Sequence, residues 1–169
     1  MIHESEHHPQ PTPSADHQAG RHNPYRQLVV MIIFSFIAMY SLMYAMVNTP
    51  ANVFNNLNQV YMAALMTAPM VVIELLVMNS MYPDKRRNAL LIGASILAAI
   101  AFFAFIQGQT AIGDKQFLRS MIPHHAGAIT MCEAASLTDP EIIQLCDSII
   151  ANQESEIEQM KLLLDKVEK

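Results

Sequence analysis

Three long apolar segments constrain this chain more than any other feature of its sequence. They are Leu28–Val47, Val60–Met78 and Ala89–Ile106, and each contains few polar residues. Each is about 20 residues long, and an α-helix of that length, rising ~1.5 Å per residue, crosses the ~30 Å hydrocarbon core of a bilayer. The sequence therefore predicts an all-α membrane protein with three transmembrane helices and the lipid bilayer as its partner.

Composition and charge exclude other classes of protein. Hydrophobic residues make up 52% of the chain and charged residues 15%, averages that conceal how strongly the apolar residues are concentrated. Two cysteines cannot staple a chain of 169 residues into a disulfide scaffold. The net charge of −5 supplies no basic surface, so we expect no nucleic-acid partner.

Residues 1–24 form a polar segment rich in His, Pro and Gln. Such a composition cannot bury enough surface to offset the entropy of ordering, so the segment is predicted to be a disordered cytoplasmic tail. Its histidines are interpreted as part of a solvated linker, with weak auxiliary metal binding as the alternative. They are His3, His7, His8, His17 and His22. Because the tail lacks the apolar core of a cleavable signal peptide, the first apolar segment is expected to act as an uncleaved anchor.

Basic residues predict the orientation of the spans. The second connection carries Lys85, Arg86 and Arg87, whereas the first is uncharged and rich in Asn. The positive-inside rule places the second connection and the N-terminus in the cytoplasm. The three-helix region at residues 25–107 then leaves residues 108–169 on the periplasmic or extracellular side of a cell (inner) membrane.

Capping patterns predict a helical hairpin in residues 108–169. Asp114 is the expected N-cap of a helix that runs to about Ser136. In Thr138–Glu141 a capping side chain precedes Pro at the first helical position and Glu in the first turn, which predicts a second helix to about Val167. So short a turn makes the two helices antiparallel neighbours.

Heptad-like spacing predicts which faces of the two helices meet. On the first helix the predicted face consists of Phe117, Met121, His124, Ala128, Met131 and Ala135, and on the second of Ile142, Cys146, Ile149, Gln153, Glu156, Met160 and Leu163. Antiparallel pairing sets Met121 and His124 opposite Gln153 and Glu156. Polar side chains within an apolar interface are costly unless they satisfy one another or hold a ligand.

The donor atoms predicted at this interface are soft. Met121 and Met131 supply thioethers, His124 supplies an imidazole, and Cys146 supplies a thiol. Thioether sulfur binds hard cations poorly, which favours copper, and Cu(I) over Cu(II), rather than Ca²⁺ or Mg²⁺. No organic cofactor is expected.

Several of these residues have a second interpretation. Gln153 and Glu156 either ligate the metal or orient a histidine by a hydrogen bond. Without a metal, His124 is a core histidine satisfied by Gln153 or Glu156. Cys132 and Cys146 lie at nearly the same height, and they either form a disulfide or stay reduced and add soft ligands.

The spacing of these residues also resembles that of a known family. The pattern M-x2-HH-x2-A-x2-M over residues 121–131, followed by Q-x2-E-I-x2-M over 153–160, is similar to the signature of small helical domains of formerly unknown function. Members of that family include periplasmic copper-binding and copper-resistance proteins of bacteria. The resemblance covers about Asp114–Leu163 and implies a ferritin-like half-bundle with a metal-handling role. The ligands that it carries over are Met121, His124, His125, Met131 and Met160.

Features within the spans also have two interpretations each. Methionines follow one stripe on each of the first two spans: Met39, Met43 and Met46, then Met62, Met66 and Met70. They are interpreted as lipid-facing or packing residues, with a path for Cu(I) as the alternative. Glu74 is either a functional carboxylate or a side chain that reaches the membrane surface and pairs with Arg86 or Arg87.

Apolar residues outside the predicted interface suggest a homodimer. They are Ile122, Ile129, Ile143, Ile150, Ile157 and Leu164. A two-fold partner would cover them and complete a four-helix bundle, with His125 pointing away from the intrachain interface toward the partner. Docking on the chain's own spans or on lipid headgroups would instead leave a monomer.

These inferences predict a membrane-anchored copper-binding protein without catalytic turnover. The alternative is a structural or interaction protein of the membrane that binds no metal and whose hairpin dimerises. A ferroxidase is disfavoured, because the Glu-x2-His spacing of Glu4 and His7 lies in the N-terminal segment and the predicted hairpin contains no such pair.

Overall fold

The computed structural model describes residues 23–169, and this part of the chain is helical with no strand. Its helices are α1 (Pro24–Leu42), α2 (Leu57–Val77), α3 (Lys85–Gln107), α4 (Asp114–Ala134) and α5 (Pro140–Val167). Short 3₁₀ turns at Pro50–Asn52 and Asn79–Met81 lie in the first two connections. The all-α prediction of three spans followed by a hairpin is confirmed. The predicted N-terminal tail, with its five histidines, lies outside the described residues except for its last two positions.

Local capping explains where most of the helices begin. Side-chain oxygens accept hydrogen bonds from backbone N–H groups of the first turn at Asn23, Asn56, Asp84 and Asp139. Asp139 binds the N–H groups of Glu141 and Ile142, as the sequence predicts. At α4 the prediction was wrong by one position: Gly113 is the N-cap, and Asp114 is the first helical residue, where its charge favours the positive end of the helix dipole.

The first three helices are each long and apolar enough to cross a membrane. The middle helix, α2, packs against both α1 and α3. Little of their surface is covered by protein: 6% of the apolar window of α1 is buried, 28% of that of α2, and 0% of that of α3. The large side chains of Phe34 and Leu97 are each 68% exposed. Apolar surface of this extent needs lipid chains to cover it, so the protein is associated with a membrane.

The first span ends earlier than its hydropathy predicts. The helix stops at Leu42, and residues 43–46 form turns in place of a helix to Val47. The reason is tertiary: the Tyr44 hydroxyl donates to the Phe54 carbonyl at 2.8 Å, and Val47 packs against the core of the hairpin. These contacts draw the segment out of the helix and into the first connection.

The second connection closes one end of the span region. The Tyr25 hydroxyl donates to Asn88 Oδ1 at 2.9 Å, and Asn88 Nδ2 donates to the Tyr82 carbonyl at 3.0 Å. The Tyr82 hydroxyl in turn lies 3.2 Å from Glu74 Oε1. Within the described residues Glu74 therefore bonds to a tyrosine and forms no ion pair with the arginines of this connection. Burial raises the pKa of Tyr82, with the hydrogen bond to Glu74 as the second cause.

The two C-terminal helices form the predicted antiparallel hairpin. Its buried core consists of Leu118, Ile122, Ala126, Ile129, Ile157, Met160 and Leu164. A disulfide joins Cys132 to Cys146 near the turn, with 5.4 Å between their Cα atoms. At the other end, Glu168 Oε1 lies 3.1 Å from Lys115 Nζ and 2.6 Å from Arg119 Nη2. The hairpin is thus fastened at both ends.

The hairpin and the first connection lie at the same end of the spans. Asn58, in the first turn of α2, exchanges hydrogen bonds with Gln109, which precedes α4, at 3.2 and 3.3 Å. The second connection lies at the opposite end, because one full span separates it from the first. The fold thus places Ser80 and the hairpin on opposite sides of any bilayer that the helices cross.

Labelling of introduced cysteines tests this arrangement. We expect a membrane-impermeant maleimide to label Asn152→Cys in intact cells and to label Ser80→Cys only after permeabilisation, because the basic second connection favours the cytoplasm. Both positions are exposed. The unsubstituted chain is the control, since both native cysteines are disulfide-bonded. Labelling of both variants from one side would contradict the three-span fold.

The Glu168 contacts predict a pH dependence for hairpin stability. Hydrogen bonds from Lys115 and then from Arg119 hold the pKa of Glu168 below its ordinary value of 4.5. A carboxylate with a lowered pKa stabilises the fold above its unfolded pKa, and that stabilisation is lost as the pH falls through the folded value. We therefore expect Glu168→Gln to be less stable than the parent at neutral pH and to approach it below about pH 4 in thermal unfolding. A constant difference across this range would contradict the assignment.

Candidate metal site

The hairpin interface uses a different face of α4 from the one that the spacing predicted. The residues of α4 that pack against α5 are Leu118, Ile122, Ala126 and Ile129, whereas Phe117 and Met131 of the predicted face are 49% and 54% exposed. The prediction failed because α4 repeats apolar residues along two neighbouring faces, and their spacing alone does not say which face meets α5. The cysteines indicate the correct face, because Cys132 lies on the face of α4 that meets α5. Steps of four and three that end at Cys132 select Leu118, Ile122, His125 and Ile129.

His125, and not His124, lies opposite Glu156. Its Nε2 is 2.8 Å from Glu156 Oε2, and its Nδ1 is 2.9 Å from the Met121 carbonyl oxygen. Both ring nitrogens therefore lie within hydrogen-bond distance of oxygen atoms of the hairpin. The side chain is only 12% exposed. The prediction that His125 points away from α5 was therefore wrong.

Met121, His124 and Met131 line a cavity on the side of α4 away from α5. Positions three and ten residues apart lie within one arc of a helix, so these side chains share a face. The cavity has a volume of about 440 Å³. His124 is exposed there, and its imidazole has no hydrogen-bond partner among residues 23–169. Two thioethers and an unengaged imidazole thus face the same space.

The opposite wall of the cavity comes from the span region. Met43 and Met46, in the turns after α1, and Met62 of α2 line it together with polar residues of the first connection. Methionine accounts for five of the thirteen lining residues, against 13 of 169 in the whole chain. The sequence interpretation of these three as lipid-facing or packing residues, with a path for Cu(I) as the alternative, did not include a place in the lining of this cavity. The sequence could have indicated this position, because the predicted topology places the first connection and the hairpin on the same side of the membrane.

Proline and polar contacts hold α4 against the first connection. Pro123 lies inside α4, lacks an N–H group and leaves the carbonyl of Arg119 without its helical partner. That carbonyl accepts a hydrogen bond from Asn56 Nδ2 at 3.4 Å. One turn earlier, Gln116 Oε1 accepts from the Leu57 N–H at 3.0 Å. The carbonyl that Pro123 frees is therefore used for docking.

The remaining predicted site residues lie away from this cavity. Met160 is buried in the hairpin core, and Gln153 is half-buried on α5 and does not line the cavity. Cys132 and Cys146 are joined to each other, so neither thiol is free to bind a metal. Across residues 23–169 no three His, Cys, Asp or Glu side chains form a cluster that could hold a metal ion. The donors that the fold does bring together are mainly thioethers.

Comparison with known proteins finds one match centred on the hairpin and one over most of the chain. Residues 98–164 match the family described as "Domain of unknown function (DUF305)". The chain is also similar to "Uncharacterized protein L153" of Acanthamoeba polyphaga mimivirus, with 37% identity over 142 residues that cover 82% of this chain and 91% of that protein. The second match is longer than the hairpin and so includes membrane spans. No solved structure matches the chain.

The adjacent histidines provide a matched test of this geometry. We expect His125→Ala to lower the free energy of unfolding by about 1–3 kcal/mol, because it removes two hydrogen bonds from a mostly buried site. His124→Ala should change it by less than about 0.5 kcal/mol, as for other exposed positions. Thermal unfolding of the two variants in the same detergent measures the difference. Equal losses, or a larger loss at His124, would contradict the assigned faces.

Proposed function

We propose that this chain, which belongs to the family of the mimivirus protein L153, is a membrane-anchored protein that binds Cu(I) in copper handling or resistance. It carries out no catalytic turnover. The metal is held at the face of α4 that bears Met121, His124 and Met131. The observation that carries the proposal is the position of these three side chains in the wall of one cavity, with the imidazole free of other partners in the described chain.

The chemistry of the lining favours Cu(I). Thioether and imidazole donors bind soft or borderline metals, and thioethers bind Ca²⁺ and Mg²⁺ poorly. None of the described residues that line the cavity is Asp or Glu. A set of neutral donors suits a monovalent cation better than a divalent one, whose charge would remain uncompensated. Ag(I) is the expected mimic.

The proposed orientation places the site outside the cytoplasm. The basic residues of the second connection favour the cytoplasmic side, and the hairpin lies at the opposite end of the spans. The bond between Cys132 and Cys146 agrees with this orientation, since disulfides persist in oxidising compartments. The cavity then opens at the outer surface of the membrane.

The homodimer remains a proposal, although most of the apolar residues that suggested it from the sequence are covered within the chain. Five of the six residues that suggested it belong to the intrachain core or pack against it, and Ile143, at 41% exposed, is the exception. A second copy would now have to cover other apolar residues of α5, such as Leu145 and Leu162, which are 58% and 65% exposed. If the chain binds no metal, this surface supports the alternative function of an interaction protein.

Competition titration tests the proposed function. We expect the full chain in detergent to take Cu(I) from a chromogenic chelator with a Kd below about 1 µM. The double variant Met121→Leu/His124→Leu removes two soft donors from one wall and should weaken binding by about ten- to a thousandfold. Helix content measured by circular dichroism should not change, because leucine keeps the apolar bulk of Met121 where it packs against the hairpin core and His124 is exposed.

Met160→Leu is the matched control. Met160 is also a methionine that the family resemblance carries over as a ligand, yet it lies in the hairpin core and away from the cavity. We expect this variant to keep the affinity of the parent chain. Binding weaker than micromolar in the parent, or an equal loss in the control and the double variant, would reject the proposed site.

A further inference from the structure

The cavity at α4 has two walls, and each carries soft donors. The hairpin wall carries Met121, His124 and Met131, and the membrane wall carries Met43, Met46 and Met62. The membrane wall belongs to α2 and to the turns after α1, which lie outside the hairpin. Nothing in the hairpin alone would reproduce this second set of donors.

The two walls are in direct contact. A Cβ atom added at Gly127 would lie 3.8 Å from the Met46 carbonyl oxygen and 3.9 Å from Met46 Cβ, so α4 touches the turn after α1. Beside the cavity, Asn58 Nδ2 donates to Ser120 Oγ at 3.3 Å. These contacts bring the thioethers of both walls to the edges of one space.

The membrane-wall methionines do not fill a core. Met46 is 49% exposed and Met62 is 37% exposed, while Met43 is half-buried. A methionine that served only as a gap-filler would be buried among apolar neighbours. Here the side chains border open space, and their three rotatable bonds let the sulfur atoms turn toward a common centre.

We infer that Cu(I) is coordinated from both walls, by thioethers of Met43, Met46 or Met62 together with Met121, His124 or Met131. This inference rests on the proposed function and extends it, because the metal then joins the hairpin to the membrane spans. A ligand that needs both walls binds only the docked arrangement and therefore stabilises it. Copper binding at this site tightens the docking of α4 on the first connection.

Two triple variants of the full chain in detergent test the inference, with Cu(I) as the probe. Met43→Leu/Met46→Leu/Met62→Leu removes the membrane-wall sulfurs while keeping their apolar bulk. Met39→Leu/Met66→Leu/Met70→Leu removes the same number of sulfurs from the same two segments, at positions that do not line the cavity. We expect about a tenfold or greater loss of affinity in the first variant and less than about a twofold change in the second.

One milder variant and two further measurements keep the test decisive if the first triple variant is poorly folded. The single variant Met46→Leu is a milder change and should also lower the affinity. X-ray absorption at the copper edge should count fewer sulfur neighbours in either membrane-wall variant than in the parent chain. Hydrogen exchange of α4 amides should slow on addition of Cu(I) in the parent chain and respond less in both variants.

The outcomes separate this inference from the proposed function. Parent-like affinity, sulfur count and exchange in the membrane-wall variants, together with weak binding by Met121→Leu/His124→Leu, would overturn the two-wall site and leave hairpin binding intact. Absence of tight Cu(I) binding in the parent chain would overturn both. An equal loss in the two triple variants would show binding by methionines in general and would also overturn the two-wall site.

Discussion

The docking of α4 on two partners is the constraint on which the rest of this structure depends. One face of the helix packs on α5 through Ile122 and Ile129, which have 0% and 1% of their surface exposed. The neighbouring face meets the first connection through the Arg119 carbonyl and the backbone at Gly127. A helix held on two sides cannot rotate, so the direction of every side chain on it is fixed. That is why His124 and His125, adjacent in sequence, have different environments.

The elements themselves follow closely from local sequence. Hydropathy locates the three spans because their length must match the bilayer, whatever else the chain does. The start of α5 is predictable because Asp139 caps the helix and Pro140 begins it, and both effects involve only neighbouring residues. The end of α1 was not predictable in this way. It depends on a bond from Tyr44 to Phe54 across the first connection. It also depends on contacts of Val47 with the hairpin, which join distant parts of the chain.

The site was only partly predictable, for a reason of helix geometry. Two faces of α4 repeat apolar residues with steps of four and three, and they differ by a single position. Periodicity alone does not say which one meets α5. The prediction grouped Met121, His124 and Met131 correctly, because that grouping depends on spacing within one helix. It assigned them the wrong partner, because a partner depends on tertiary packing. The cysteine pair would have decided the choice, since only the face that carries Cys132 reaches Cys146.

The position of the cavity at the membrane edge bears on which donors can serve there. An ionised carboxylate beside a bilayer loses hydration, which costs several kcal/mol unless the charge is paired. Thioethers carry no charge and are readily buried, so methionines can line such a cavity in the empty state at little cost. A monovalent soft cation then brings the only charge to the site. The same property lets Met43 and Met46 extend an apolar span into the first connection without breaking its hydrophobic pattern. The proposed two-wall copper site would therefore require no polar residue inside the membrane, and its membrane half would resemble an ordinary span in sequence.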